Sequence, residues 1–288
     1  MWEAAVQPFA DFGFMRRALL GCVAVSVGAT PVGVFLMLRR MSLTGDAMAH
    51  AVLPGAAVGY LMAGLSLGAM TIGGLLAGMT VALLAGFVTR ATVLREDASL
   101  AAFYLISLAA GVLIVSIRGS NVDLMHVLFG TVLALDDATL MLLCSIASLS
   151  VLTLAVLFRP LVLECADPQF LRSVSGLSAA THFTFLALVV LNLVGGFHAL
   201  GTLMAVGIMI LPAAAARFWA ARIGALIAVA IAVAMISSVS GLLLSYHLSL
   251  PSGPAIILAA GLAYGVSLVL GPVGSLAARV AVRRQLEA

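Results

Sequence analysis

Three observations predict an all-α integral membrane protein, a polytopic bundle of eight or nine transmembrane helices. First, 64% of the residues are hydrophobic and 9% charged, against roughly a quarter charged in soluble domains. Second, the apolar residues gather into charge-free windows of about 17–25 residues, the length of helix that crosses a bilayer. Third, the charges that remain fall between these windows, and most of the arginines fall on one side when the chain is threaded through nine of them.

The windows follow in order. The first, 18–38, comes after Arg16 and Arg17, as in a secretory signal, but it exceeds the ~7–15 apolar residues of such a segment and reads as a retained span. The second, 51–67, is short if Asp46 and His50 are left out of it. The third, 69–89, stops at Arg90; the fourth, 99–117, lies between Asp97 and Arg118; the fifth, 138–158, lies between Asp137 and Arg159. The sixth and seventh, 179–196 and 199–216, divide near Gly195-Gly196 and close at Arg217. The eighth and ninth, 223–245 and 255–274, flank a loop that holds His247 and Pro251. Nothing separates a second domain, so residues 1–288 read as one transmembrane unit.

Orientation follows from the arginines. Nine spans place Arg39, Arg40, Arg90, Arg95, Arg159, Arg172, Arg217, Arg222, Arg279, Arg283 and Arg284 on one side and Arg16, Arg17 and Arg118 on the other. The excess of positive charge marks the cytoplasmic side, so the N-terminus is expected outside and the C-terminus inside. An eight-span count would disturb that split.

Absences narrow the function. All fourteen basic residues are arginine; a phosphate-binding G-x-x-x-x-G-K-[ST] loop needs a lysine, so the chain is no Walker-type ATPase. No H-E-x-x-H occurs, and the serines have no convincingly placed histidine, which leaves intramembrane hydrolysis little support. Cys22, Cys144 and Cys165 are too far apart to suggest a disulfide framework or thiolate site. The net charge of +3 comes without aromatic-interleaved basic clusters, so no nucleic-acid partner is implied.

Gly55 and Gly59, extended by Ala51 and Ala63, and Gly74 with Gly78 have the small-xxx-small spacing that lets helix backbones approach closely in lipid. Packing within the chain and a dimer seam are both compatible with it.

Three stretches carry chemistry. In "MSLTGDAMAHAVLPG", residues 41–55, Asp46 and His50 stand four apart, so a helix presents both on one face with Cβ atoms about 5–6 Å apart. A carboxylate and an imidazole suit zinc or manganese. Pro54 adds to this, because it has no N–H for the carbonyl of His50. The competing reading makes Asp46 a helix cap or a partner of Arg39 or Arg40, and His50 a hydrogen-bonded neighbour. In "RGSNVDLMHVLFG", residues 118–130, Asp123 and His126 are candidate outer-side metal contacts, with His198 and His247 as lesser ones near outer helix ends; His182 reads as a satisfied helix-end residue. In "ECADPQFLRSVSGL", residues 164–177, Asp167 is a good N-cap, Pro168 fits the first helical position and Gly176 suits a stop. This predicts a short cytoplasmic helix over 167–176 with Phe170, Leu171 and Val174 as its apolar side, in need of a partner groove.

These stretches resemble the membrane permease subunits of ABC importers for zinc, manganese and iron. "LRRMSLTGDAMAHAVLPG", "VDLMHVLFGTVLAL", "DPQFLRSVSGL", "GTLMAVGIMILPAAAAR" and "LSYHLSLPSGPAIIL" match that family's blocks in order. The "AAAAR" of 213–217 departs from relatives that carry threonine or serine there. The resemblance implies a type II-like importer permease of the bacterial cytoplasmic (inner) membrane, working as a homodimer. Two ATPase subunits would bind and hydrolyse ATP, and an extracytoplasmic metal-binding protein would deliver the ion. It implies Asp46 and His50 as the metal pathway, and Asp167, Pro168, Phe170, Leu171, Arg172 and Gly176 as the ATPase-coupling segment. The cargo is a divalent transition metal, with zinc the first expectation and manganese or iron(II) the alternatives; no permanently bound cofactor is expected. A proton-coupled secondary transporter is the rival class, since it too would place Asp and His in its spans but would need no docking helix.

Overall fold

The computed structural model describes residues 2–64, 66–94, 96–118, 132–174 and 176–277. They form helices α1 (Trp2–Asp11), α2 (Gly13–Leu38), α3 (Ser42–Ala63), α4 (Leu67–Ala91), α5 (Glu96–Arg118), α6 (Asp137–Ala166), α7 (Pro168–Val174), α8 (Leu177–Leu200), α9 (Thr202–Ala216), α10 (Ile223–Leu248) and α11 (Ser252–Leu270), with one turn of 3₁₀ helix at Val132–Ala134. Each of the nine apolar windows overlaps mainly one helix, though 51–67 runs past the end of α3, 199–216 begins within α8 and 255–274 outruns α11; α1 and α7 lie outside the windows. Among the described residues, seven helices (α2, α4, α5, α6, α8, α10 and α11) are long and apolar enough to cross a membrane. The 15-residue α9 rises only about 22 Å, short of the roughly 30 Å hydrocarbon layer. α3 carries Ser42, Thr44, Asp46 and His50 in its first half, which lowers its apolarity.

α2 is the axis of the bundle. It packs on α6, α9 and α10 and buries Cys22, Val25, Ala29, Val32, Phe35 and Leu36. Two glycines bring backbones together around it. A Cβ on Gly28 would stand 2.8 Å from the Cα of Ala147 on α6, and one on Gly33 would stand 2.7 Å from the carbonyl carbon of Met209 on α9. Asn192 of α8, buried in the same region, donates to the Ser150 hydroxyl of α6 at 2.7 Å and to the Leu188 carbonyl at 2.8 Å.

The second close unit is α3 against α4. A Cβ on Gly55 would collide with the carbonyl oxygen of Gly73 and stand 2.5 Å from the Cβ of Ala77; one on Gly59 would stand 2.7 Å from the carbonyl carbon of Ala69. Gly74 and Gly78 face Val52 of α3 and Val190 and Val194 of α8. The small-xxx-small motifs thus close contacts within the chain. α5 completes this unit: Gly111 meets Pro54, where a Cβ would stand 2.5 Å from the proline Cβ.

Contacts at the two ends fit helices that alternate in direction. At one end Arg17 pairs with Asp137 at 2.9 Å, and the rings of Phe12 and Tyr246 lie 5.8 Å apart. At the other, Arg39 meets Glu164 and His182, and the Val273 N–H donates to the Phe218 carbonyl at 2.9 Å. A boundary differs from the sequence reading: α8 and α9 part at Gly201, with φ of 81°, rather than near Gly195-Gly196. Those two glycines lie inside α8, where Gly195 faces Ile146 and Gly196 faces Ala205.

Candidate metal pathway and coupling segment

α2 ends and α3 begins across three residues. Arg40 adopts φ of 60°, its N–H donates to the Met37 carbonyl at 3.0 Å, and the Met41 N–H donates to the Leu36 carbonyl at 2.9 Å. This is the paired closure of a left-handed helix end, here built on an arginine where glycine is usual, at a cost of roughly 1–2 kcal/mol. The chain therefore reverses without a loop, and α3 starts at Ser42, not near 51. Asp46 and His50 lie inside its first turns.

His50 Nε2 stands 3.8 Å from Asp46 Oδ1, and the Asp46 side chain is 64% exposed. Asp46 is not the cap of α3, whose N-cap is Met41 without a side-chain cap, and Arg39 pairs with Glu164. Behind the pair, the ring of Tyr104 on α5 stacks on His50 at 6.0 Å and 28°, and Ser107 donates to the carbonyl of Ala51 at 3.4 Å. Tyr104 was not legible as a site residue. Its signal was one of two adjacent aromatics, Phe103 and Tyr104, in an apolar stretch, and only packing ties it to His50.

Among the described residues no group of three or more His, Cys, Asp and Glu side chains could hold a metal. The chain brings two ligands together there, Asp46 and His50, with the Asp46 side exposed. The other candidates do not join them. Asp123 and His126 lie outside the described residues. His198 falls in the last turn of α8. His247 is exposed in the last turn of α10, its ring 5.2 Å from that of Tyr246.

The predicted short helix is present as α7, Pro168–Val174. Asp167 Oδ1 accepts from the N–H of Gln169 at 3.0 Å and of Phe170 at 2.9 Å, the N-cap expected of it. The apolar side is not one face. Phe170 is 51% exposed, while Leu171 is buried against the bundle. Gly176 lies between α7 and α8 as the N-cap of α8, with an ordinary φ of −67° rather than the left-handed conformation of a glycine stop. Arg172 lies on α7.

Arg39, His182 and Glu164 form a buried charge cluster that sequence reasoning missed. Arg39 Nη2 stands 3.3 Å from Glu164 Oε1 and hydrogen-bonds His182 Nδ1, and the guanidinium lies over the Phe185 ring at 5.0 Å. The signal was Glu164, a carboxylate inside an apolar run.

The model of the ABC 3 transport family matches residues 11–271. The chain belongs to the ABC 3 transport family. As such it is a membrane permease subunit of the metal ABC importer group, a multi-pass protein of a bacterial membrane and a transport subunit rather than an enzyme. It is 31% identical over 273 residues to the manganese import system permease protein ScaB of Streptococcus gordonii, covering 94% of this chain and 96% of that one. It is 30% identical over 263 residues to the manganese transport system membrane protein MntC of Listeria innocua, covering 91% and 92%. It is 27% identical to the chelated iron transport system membrane protein YfeD of Yersinia pestis, covering 91% and 87%. The solved structure of PsaBC from Streptococcus pneumoniae in complex with Fab superposes with a TM-score of 0.82 at 27% identity, covering 94% and 97%. An inward-facing metal-chelate type ABC transporter shares the fold, with a TM-score of 0.68 at 18% identity.

Proposed function

We propose that this chain is the permease of an ATP-driven manganese importer and that Asp46 and His50 line its ion path. Manganese replaces zinc as the favoured cargo, because ABC 3 relatives of similar length carry manganese import in their names; iron(II) is the alternative. A single carboxylate and a single imidazole suit either metal, so the pair by itself supports a divalent ion and not a particular one.

The observation that carries the reading is the placement of the pair. Two ionisable groups stand 3.8 Å apart on one helix of an apolar bundle, with the Asp46 side chain exposed. Ionisable groups at membrane depth are costly and mark ion paths. A second copy, meeting this exposed side, would bring a second carboxylate and imidazole and make a four-ligand site from two half-sites. The ligands would replace part of the hydration shell with modest affinity, since a tight site traps its ion. An extracytoplasmic binding protein delivers the metal. Two cytoplasmic ATPases dock on α7 with Phe170 as the exposed anchor, and their closure alternates access. The N-terminus lies outside and the C-terminus inside, on the arginine asymmetry.

The experiment is uptake of radioactive manganese by vesicles that hold the permease, the ATPase and the binding protein. Asp46→Ala and His50→Ala should each abolish uptake while expression and basal ATP hydrolysis survive. Asp46→Asn should fail as well, because a cap is not its role. Normal uptake by both Ala variants would sink the pathway, and uptake without the ATPase would favour a secondary transporter.

A further inference from the structure

Three helices that are distant in sequence meet at one buried polar point. Arg39 caps the end of α2, Glu164 stands two residues before the end of α6, and His182 lies in the second turn of α8. Their side chains are 8%, 6% and 9% exposed. His182 Nδ1 is 3.9 Å from the Glu164 oxygen that faces Arg39. Phe185, under the guanidinium, meets Phe35 edge-on at 6.5 Å, and Phe35 meets Phe158 in the same way at 6.0 Å. The cluster therefore ties α2, α6 and α8 together at the end where α7 joins α6 to α8.

Stability does not account for it. A buried ion pair is often no better than apolar side chains of the same volume, because desolvation offsets the Coulomb attraction. This pair is also incompletely satisfied: Arg39 Nη1 and Glu164 Oε2 are buried with no hydrogen-bond partner among the described residues. What a hydrogen-bonded charge pair provides and an apolar contact does not is a fixed distance and direction between the helices it joins. Arg39 is where that geometry matters. It is followed by the left-handed Arg40 and the loop-free turn into α3, and Asp46 comes seven residues after it. α7, for its part, packs chiefly on α6 and α8, the helices that carry the other two members.

We propose that Arg39, Glu164 and His182 are positioning residues that carry displacement of α7 to the α2–α3 turn, and so to Asp46 and His50. The inference rests on the reading of α7 as the ATPase-docking helix and of the pair as the ion path. ATP-driven movement of α7 shifts the ends of α6 and α8 together. Glu164 and His182 draw Arg39 with them, and the short turn transmits the shift to the first turns of α3. The rival route is apolar, since α8 also packs directly on α3.

The test measures manganese imported and ATP hydrolysed in the same vesicles, with the ATPase and binding protein present. Arg39→Met with Glu164→Met keeps volume and removes both charges, so it is expected to fold; Arg39→Lys keeps the charge towards Glu164. The double variant should retain the ATPase and hydrolyse ATP at close to the wild-type rate, with manganese imported per ATP falling about tenfold. Arg39→Lys alone should keep most of the wild-type yield. A double variant with the wild-type yield would overturn the proposal in favour of α8 packing on α3. Import and hydrolysis falling together, with loss of folded protein, would also overturn it, as the mark of a structural role. Asp46→Ala and Phe170→Asp run alongside report separately: normal import by the first removes the ion path, and retention of the ATPase by the second removes the docking helix.

Discussion

Gly55→Ala is the sharpest test of how α3 is held. One added methyl would collide with the Gly73 carbonyl oxygen and stand 2.5 Å from the Cβ of Ala77, where carbon atoms in contact sit about 3.5–4.0 Å apart. The obstacles are backbone and a Cβ, so no rotamer relieves the clash, and the two helices must part by about an ångström. Overpacking of this kind costs about 1–3 kcal/mol, a fall of roughly 2–10 °C in the unfolding temperature. Thermal unfolding in detergent, followed by circular dichroism, measures it. Gly224→Ala is the control: nothing lies within 4 Å of a Cβ there, and its unfolding temperature should hold or rise slightly. Since α3 carries Asp46 and His50 one to three turns below the seam, manganese uptake should fall with stability in Gly55→Ala. A Gly55→Ala protein with wild-type unfolding temperature would refute the close α3–α4 contact.

Other expectations divide the neighbouring residues by role. Phe170→Asp should leave a folded permease that no longer co-purifies with the ATPase, whereas Leu171→Ala should lower stability by about 2–4 kcal/mol, being buried. Tyr104→Phe should keep the stack on His50 and most uptake; Tyr104→Ala should lower uptake without unfolding the protein, as uptake assays with thermal melts will tell. In a background free of native cysteine, Ser249→Cys should react with an impermeant thiol reagent from outside, and Thr92→Cys and Trp219→Cys should not; reversed labelling would invert the orientation. Asp136 caps α6, and the Thr139 hydroxyl and N–H hold its carboxyl below the ordinary range. Its contribution is thus present above about pH 4 and lost as pH falls through the lowered value. Asp136→Ala should cost about 1 kcal/mol at neutral pH, and its melting curve should converge on the wild type in acid.

The sequence alone determined what depends on length and on neighbours along the chain. Apolar windows become helices, seven of them long and apolar enough to cross a membrane among the described residues, because crossing lipid requires a run of a given length and a run is visible in one dimension. Asp46 and His50 share a face because a helix puts residues four apart together whatever surrounds it, and Asp167 caps α7 by the same local logic. Tertiary structure decided which side of each helix meets protein. Lipid tails are as apolar as leucine, so a membrane helix needs no polar stripe on its outer face, and its packing side leaves little periodic trace. Nothing in one dimension could separate buried Leu171 from exposed Phe170, or set Tyr104 behind His50. Nor could it bring Arg39 to Glu164 and His182, which are 125 and 143 residues away. Arginine placement read along the chain made Arg39 a marker of orientation; in the folded chain its guanidinium is buried against Glu164, because α2 packs along α6 and α8, which carry Glu164 and His182.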